Sequence, residues 1–301
     1  MQKDREELYK LVDKAEVLDE CLPYLRKFRG KTIVIKYGGS AMVKKELKIG
    51  FARDVTLLKH IGINPIVIHG GGPQISTLLK KMKIESKFIE GMRITDHETL
   101  NIVQMVLVGQ VNQEIVSMIN THGGNAVGLS GKDGKLILAK KFYVEKPGPA
   151  TDRPEIIDIG MVGQVTSVNI AILELLLRGE FIPVIAPVGH NKNGETFNIN
   201  ADFVAAAVAG AMAAEKIVLL TDEVGVLDAK GALISTLKKS ETKKMIKSKV
   251  IASGMLPKVS ACFSALDAGV PKAHIIDGRM PHSALLEIFT NRGIGTEILQ
   301  G

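Results

Sequence analysis

The 301-residue chain is 46% hydrophobic, enough for a sizeable core and too much for a disordered chain. Its net charge is +7, but aromatics make up 4% and tryptophan is absent, which argues against a nucleic-acid platform built on stacked bases. Residues 1–29 are charged throughout and no uninterrupted apolar run reaches about 18 residues, so the expectation is a cytoplasmic chain with no leader and no membrane contact.

The first element is an amphipathic helix over 4–22. Leu8, Leu11, Val12, Ala15, Leu18 and Leu22 follow helical spacing, and Pro23 is expected to end it. It belongs to no βαβ unit, so it either caps the core or pairs with a neighbouring subunit. From Thr32 strands and helices alternate: strand 32–36, helix 44–61, strand 65–69, helix 73–82. A polar turn at 90–96 then leads into a long helix over 96–121. Residues 126–168 change character, with a turn at Gly131–Gly134, a strand-like alternation over 136–144 and a loop over 147–154. They read as hairpins inserted between αβ units. The alternation resumes with helix 167–179, strand 181–186, helix 201–214, strand 216–221, helix 258–269 and strand 273–276. This order predicts an α/β fold: a three-layer αβα sandwich with an open, mainly parallel central sheet. Between the last units, Ser235–Lys249 holds six lysines against Glu241 and reads as a solvated helix face near an anionic small ligand. Cys21 and Cys262 have no metal-type spacing and read as small buried or half-buried thiols.

Two strand ends carry the chemistry. Thr32-Ile33-Val34-Ile35-Lys36-Tyr37 stops at Gly38-Gly39, and Pro65-Ile66-Val67-Ile68-His69 stops at Gly70-Gly71-Gly72-Pro73. Bare amides beside a fixed cation suit a phosphate group. Neither the P-loop pattern nor the dinucleotide glycine fingerprint occurs. Asn198, Asn200 and Asp202 precede an Ala-rich helix, Thr221-Asp222 ends a strand, and Lys258 follows Gly254-Met255-Leu256-Pro257. Strand carboxyl ends of a parallel sheet share one rim, so these residues can meet there. Taken singly, each also reads as an ordinary turn, helix-start or surface residue.

Six pieces in order resemble the amino-acid kinase family, and within it the arginine-inhibited acetylglutamate kinases. They are Lys36-Tyr37-Gly38-Gly39, His69 to Pro73, Gly91-Met92-Arg93-Ile94-Thr95, Asn198 to Asp202, Leu220-Thr221-Asp222 and Gly254 to Lys258. The resemblance implies transfer of the γ-phosphoryl group of ATP, with Mg²⁺, to the side-chain carboxylate of N-acetyl-L-glutamate. It makes Lys36 and Lys258 the cations on the moving phosphoryl group and Asp202 their organiser. Gly71 and Gly72 become amide donors, Arg93 and Asn198 substrate grips, and Gly38, Gly39, Thr221, Asp222 and Met255 nucleotide contacts. It further implies an oligomerisation helix at 1–29 and a kinase domain at 30–301. In that domain an N-lobe (about 30–205) binds substrate and dimerises, and a C-lobe (about 206–301) binds ATP. Rings of three dimers, a hexamer, would carry an arginine pocket at Tyr24, His274, Glu287 and Gly293. Ser40 and Glu297 depart from the family's usual residues. A sibling enzyme acting on another amino acid, a sensor without catalysis and a basic RNA-binding module remain alternatives.

Overall fold

The computed structural model describes residues 2–146, 155–252, 254–290 and 293–301, so the loop expected at 147–154 lies outside the described residues. The chain opens with α1 (Gln2–Phe28), β1 (Thr32–Tyr37), α2 (Lys45–His60), β2 (Asn64–His69) and α3 (Gly72–Lys81). A hairpin of β3 (Phe88–Ile89) and β4 (Met92–Arg93) turns through Glu90 and Gly91, at φ 52° and 75°, the left-handed pair a two-residue hairpin turn requires. Next come α4 (His97–Gln104) and α5 (Asn112–Thr121), joined by a π-helical turn at Met105–Val111. Then follow β5 (Ala126–Ser130), β6 (Ile137–Lys146), β7 (Glu155–Val168), α6 (Ala171–Arg178), β8 (Ile182–Ala186), β9 (Val188–His190), β10 (Thr196–Asn198) and α7 (Ala201–Ala211). The last third runs β11 (Lys216–Thr221), β12 (Thr236–Lys238), α8 (Lys239–Lys247), α9 (Met255–Asp267), β13 (Ala273–Asp277), α10 (Ser283–Phe289) and β14 (Thr296–Leu299).

The main sheet has the order β12-β14-β13-β11-β1-β2-β8-β5. All its pairings are parallel except β13 with β14. Residues along β1 alternate between two cores. Val34 joins Ile66, Ile217, Val204, Val208 and Val259 on one face. Ile33 and Ile35 join Val55, Leu58, Val103, Val106 and Ile115 on the other. Helices cover both faces, as fully buried parallel strands require, so the three-layer αβα expectation holds. A smaller closed ring joins β6 and β7, which precede β8, to β9 and β10, which follow it.

Several boundaries differ from expectation. Pro23 lies inside α1 and does not end it. The turns beyond it are anchored: Tyr24 meets Phe289 edge-on at 6.5 Å, and Phe28 is fully buried. Upstream of Pro23, Val12, Val17, Leu18 and Leu22 are exposed, so these four do not cap the core. Strand β5 is a strand of the main sheet, paired in parallel with β8, and not part of an inserted hairpin. Residues 167–168 stay in the β6–β7 ladder. Asn169 then makes the turn, accepting from the Ala171 amide at 3.3 Å, and helix begins only at Ala171. Helix α9 starts three residues before Lys258, since Pro257 falls in the first turn, where its missing N–H costs nothing. The short β9, β10, β12 and β14 and the helix α10 had no distinct sequence signal. The run His97–Thr121 is long and apolar enough to cross a membrane by length and composition alone. Here Ile102, Val103, Val106, Leu107, Val111, Ile115 and Ile119 pack it against the sheet.

Candidate active site

Strands β1 and β2 run side by side with Lys36 opposite Ile68 and Tyr37 opposite His69, so their glycine-rich ends meet at one rim. The cleft there, about 360 Å³, is lined by Lys36, Gly38, Gly39, Gly71, Gly72, Arg93, Asn198, Asp202 and Lys258 among others. Its electrostatic centre is Asp202, in the first turn of α7 and 4% exposed. Asn200 caps that helix by accepting from the Asp202 amide at 2.8 Å. Lys258 Nζ donates to Asp202 Oδ2 at 3.3 Å. Lys36 Nζ is 3.1 Å from Oδ1, an ionic contact off the hydrogen-bonding direction, which leaves that buried oxygen without a hydrogen-bond partner. Burial pushes the Asp202 carboxyl up, but the charges of Lys36 and Lys258 outweigh it and hold the group below the usual carboxylate range. A side chain at Gly38 would begin 2.6 Å from Lys36 Nζ, and one at Gly39, at φ 69°, would strike the Asp222 carboxylate. Glycine is therefore what allows Lys36 and Asp222 to reach this rim.

Arg93 closes the cleft from the β3–β4 hairpin. It donates to Ser76 Oγ at 2.9 Å, to the Gly72 carbonyl at 3.2 Å and to Ser86 Oγ, and its guanidinium lies 4.6 Å from the Phe88 ring centroid. Burial lowers its pKa. Asn198 donates to Thr95 Oγ1 at 3.3 Å, and that hydroxyl in turn donates to the Arg93 carbonyl at 2.8 Å. One buried threonine thus ties Arg93 to Asn198.

A second cavity of about 510 Å³ is lined by Thr221, Asp222, Val226, Val250, Ile251, Gly254, Met255 and Lys258. Lys258 borders both cavities, whereas Gly38 and Gly39 border only the first. The lysine-rich segment does form a solvated helix face at α8, and residues just after it line this second cavity. Among the described residues, no group of three acidic, histidine or cysteine side chains could hold a metal ion.

Tyr24, His274, Glu287 and Gly293 also come together, around a separate cavity of about 210 Å³. Glu287 is buried and not a surface helix residue. Its Oε1 lies 2.6 Å from His274 Nδ1, and Oε2 accepts from the Ile294 amide at 3.1 Å. Burial pushes Glu287 up, yet His274, the Ile294 amide and Lys216 together hold it below the usual range. His274 Nε2 is buried without a hydrogen-bond partner, so this histidine is only half satisfied. Sequence reasoning missed Lys216 and Lys272, which line this cavity, and Ser76, Ser86 and Thr95, which hold Arg93 and Asn198. Lys216 alone carried a signal, as a cation opening an otherwise apolar strand.

A buried carboxylate holding two lysines, with glycine amides beside it and a cavity on either side of Lys258, defines a phosphotransferase. The chain belongs to the amino acid kinase family, whose sequence model matches residues 31–277. It is 58% identical over 290 residues to the acetylglutamate kinase of Syntrophus aciditrophicus (strain SB), covering 96% of this chain and 98% of that protein. It is 57% identical to the acetylglutamate kinase of Syntrophobacter fumaroxidans (strain DSM 10017 / MPOB), covering 96% and 97%. Among solved structures, the N-acetylglutamate synthase of Neisseria gonorrhoeae, complexed with coenzyme A and N-acetyl-glutamate, superposes with a TM-score of 0.82 at 28% identity. That match covers 95% of this chain and spans 63% of the synthase.

Proposed function

We propose that this chain transfers the γ-phosphoryl group of ATP to the side-chain carboxylate of N-acetyl-L-glutamate, a step of arginine biosynthesis. The observation that carries the reading is the Lys36–Asp202–Lys258 triad, with Lys258 on the border of two cavities. A carboxylate oxygen attacks the γ-phosphorus, the bond to the bridging oxygen breaks, and ADP leaves. The nucleophile is ionised at neutral pH, so no general base is needed. Catalysis then rests on alignment and charge. Lys36 and Lys258 are the catalytic cations and Asp202 their organiser. Gly71 and Gly72 offer amides at the start of α3, where the helix dipole favours an anion. Thr221, Asp222 and Met255 form the nucleotide side, and Gly38 and Gly39 meet the phosphates from the cleft. Mg²⁺ enters with ATP as part of that substrate, in keeping with its preference for phosphate oxygens and water. Arg93 and Asn198 grip the α-carboxylate and its neighbourhood, a role that suits a planar guanidinium.

The same reading makes arginine a feedback inhibitor that sets its guanidinium against Glu287, with Tyr24, His274 and Gly293 around it. It includes an N-lobe near 30–205 for substrate and dimer contacts, a C-lobe near 206–301 for ATP, and a hexamer linked through α1. A cytoplasmic location, where ATP is supplied, goes with it. Calorimetric titration tests the substrate assignment. N-acetyl-L-glutamate should bind with Mg²⁺ and a nonhydrolysable ATP analogue present, L-glutamate and L-aspartate should not, and Arg93→Lys should weaken the binding about tenfold or more. Equal binding of all three acids would contradict it.

A further inference from the structure

We propose that the buried pair His69–Asn112 is a positioning device that aims the Gly71 amide into the reaction cleft. Its functional consequence rests on the phosphoryl transfer proposed above. His69 ends β2 and has no solvent exposure. Its Nδ1 lies 2.7 Å from the Gly70 carbonyl oxygen and its Nε2 lies 3.2 Å from Asn112 Nδ2. The surroundings fix which way the Asn112 amide faces. Nδ2 is also 2.9 Å from the Val184 carbonyl and 3.4 Å from the Leu129 carbonyl. Carbonyls only accept, so the NH₂ end must face them. An amide nitrogen accepts nothing, so its second hydrogen goes to His69 Nε2, with the longer Leu129 contact shared, and Nε2 must keep its lone pair. The ring proton is left on Nδ1, where it is donated to Gly70.

Peptide geometry carries the effect one residue further. The Gly70 carbonyl and the Gly71 N–H belong to one planar trans unit and point in opposite directions. Gly70 is held on both sides, because its own N–H donates to the Tyr37 carbonyl at 2.7 Å. With the Gly70 carbonyl turned inward to a buried ring, the Gly71 N–H turns toward the cleft that Gly71 lines. The π-helical turn supplies the other half of the device. Buried pairs step by four from Ile102–Val103 to Val106–Leu107 and by five to Val111–Asn112, and single buried positions follow at Ile115 and Ile119. The long step brings Val111 and Asn112 inward as a pair. Leu107, in the same turn, packs so closely on Gly71 that a Cβ there would displace the leucine's Cδ2, and Gly128 leaves room for the Asn112 carbonyl oxygen.

Two experiments test this. Histidine ¹⁵N spectra of the wild-type protein, with the His69 signal assigned by its loss in His69→Asn, should show the proton on Nδ1. A proton on Nε2 would overturn the proposal whatever the enzyme's substrate is. In kinetics, His69→Asn keeps an N–H where Nδ1 stands, while His69→Gln moves it to the place of Nε2. The asparagine variant should hold kcat within about threefold of wild type. The glutamine variant should lose about tenfold or more, with KM for ATP changed less than about twofold. Equal kcat in the two variants, with melting temperatures alike, would overturn the proposal. If neither variant folds, the wild-type spectrum decides, with the His69 ring assigned through its contact with the Asn112 side-chain amide. Failure of the wild-type enzyme to phosphorylate N-acetyl-L-glutamate would instead count against the proposed function and leave the spectrum as a valid test.

Discussion

Asp202 is held below the usual carboxylate range although burial pushes it up, because two lysines share its charge. In the proposed reaction those lysines also meet the charge that develops on the phosphoryl group. Lys36→Ala or Lys258→Ala should therefore lower kcat by about two orders of magnitude in steady-state assays. A near-normal kcat would remove that residue from the mechanism. His69 gives a stability prediction. Burial holds its ring at a pKa of about 4, against the ordinary 6.5, with the Gly70 hydrogen bond opposing. Between those values the unfolded chain binds a proton that the folded chain refuses, so acid destabilises the fold by about 3 kcal/mol at pH 4. Asp54 slopes the other way: burial raises it to about 6 despite its bond to His282, so its contribution falls as pH rises toward 6. The difference between wild type and His69→Asn isolates the histidine. In urea melts the wild type should lose about 3 kcal/mol more than the variant between pH 7 and pH 4, and equal losses would contradict the assignment. At this scale the triad was legible, because a lysine at a strand end and an acid at a helix start are visible in sequence. Thr95, Ser76 and Ser86 were not, since they act only by holding Arg93 and Asn198 through contacts that no spacing rule marks, the longest of them 103 residues apart.

Local elements were legible where one periodicity ruled. The strand of residues 216–221 appears with the expected limits, and β1, β2 and β8 within a residue at each end. Pro23 misled because anchoring by Tyr24 and Phe28 outweighs one lost helix bond. The π-helical turn was invisible because its five-residue step reads as ordinary helix in a long apolar run. Helix α1 divides into an anchored end and an upstream stretch where, among the described residues, Val12, Val17, Leu18 and Leu22 are exposed. In the proposed assembly that stretch meets a second copy of the chain. Deleting residues 2–22 should shrink the particle seen by light scattering and weaken arginine inhibition, while uninhibited kcat changes less than about twofold. An unchanged particle size would refute the linking role.

Across the whole molecule, the site lies where the sheet changes direction. From β1 the chain moves to β2 on one side and returns through β11 to the other, so a crevice opens beyond the carboxyl ends of the central strands. The αβ alternation made the parallel sheet and its shared rim legible. The strand order, the closed ring of β6, β7, β9 and β10, and the antiparallel insertion of β14 depend on long-range pairing that spacing does not encode. Lys258 borders both cavities, and in the proposed reaction each holds one substrate. An acyl phosphate formed between them is trapped by hydroxylamine as a hydroxamate. The most direct measurement is the rate of hydroxamate formation with ATP and Mg²⁺ from N-acetyl-L-glutamate, L-glutamate and L-aspartate. Product should form from N-acetyl-L-glutamate alone and be lost in Lys258→Ala; product from none of the acids, or equally from all three, would contradict the proposed transfer.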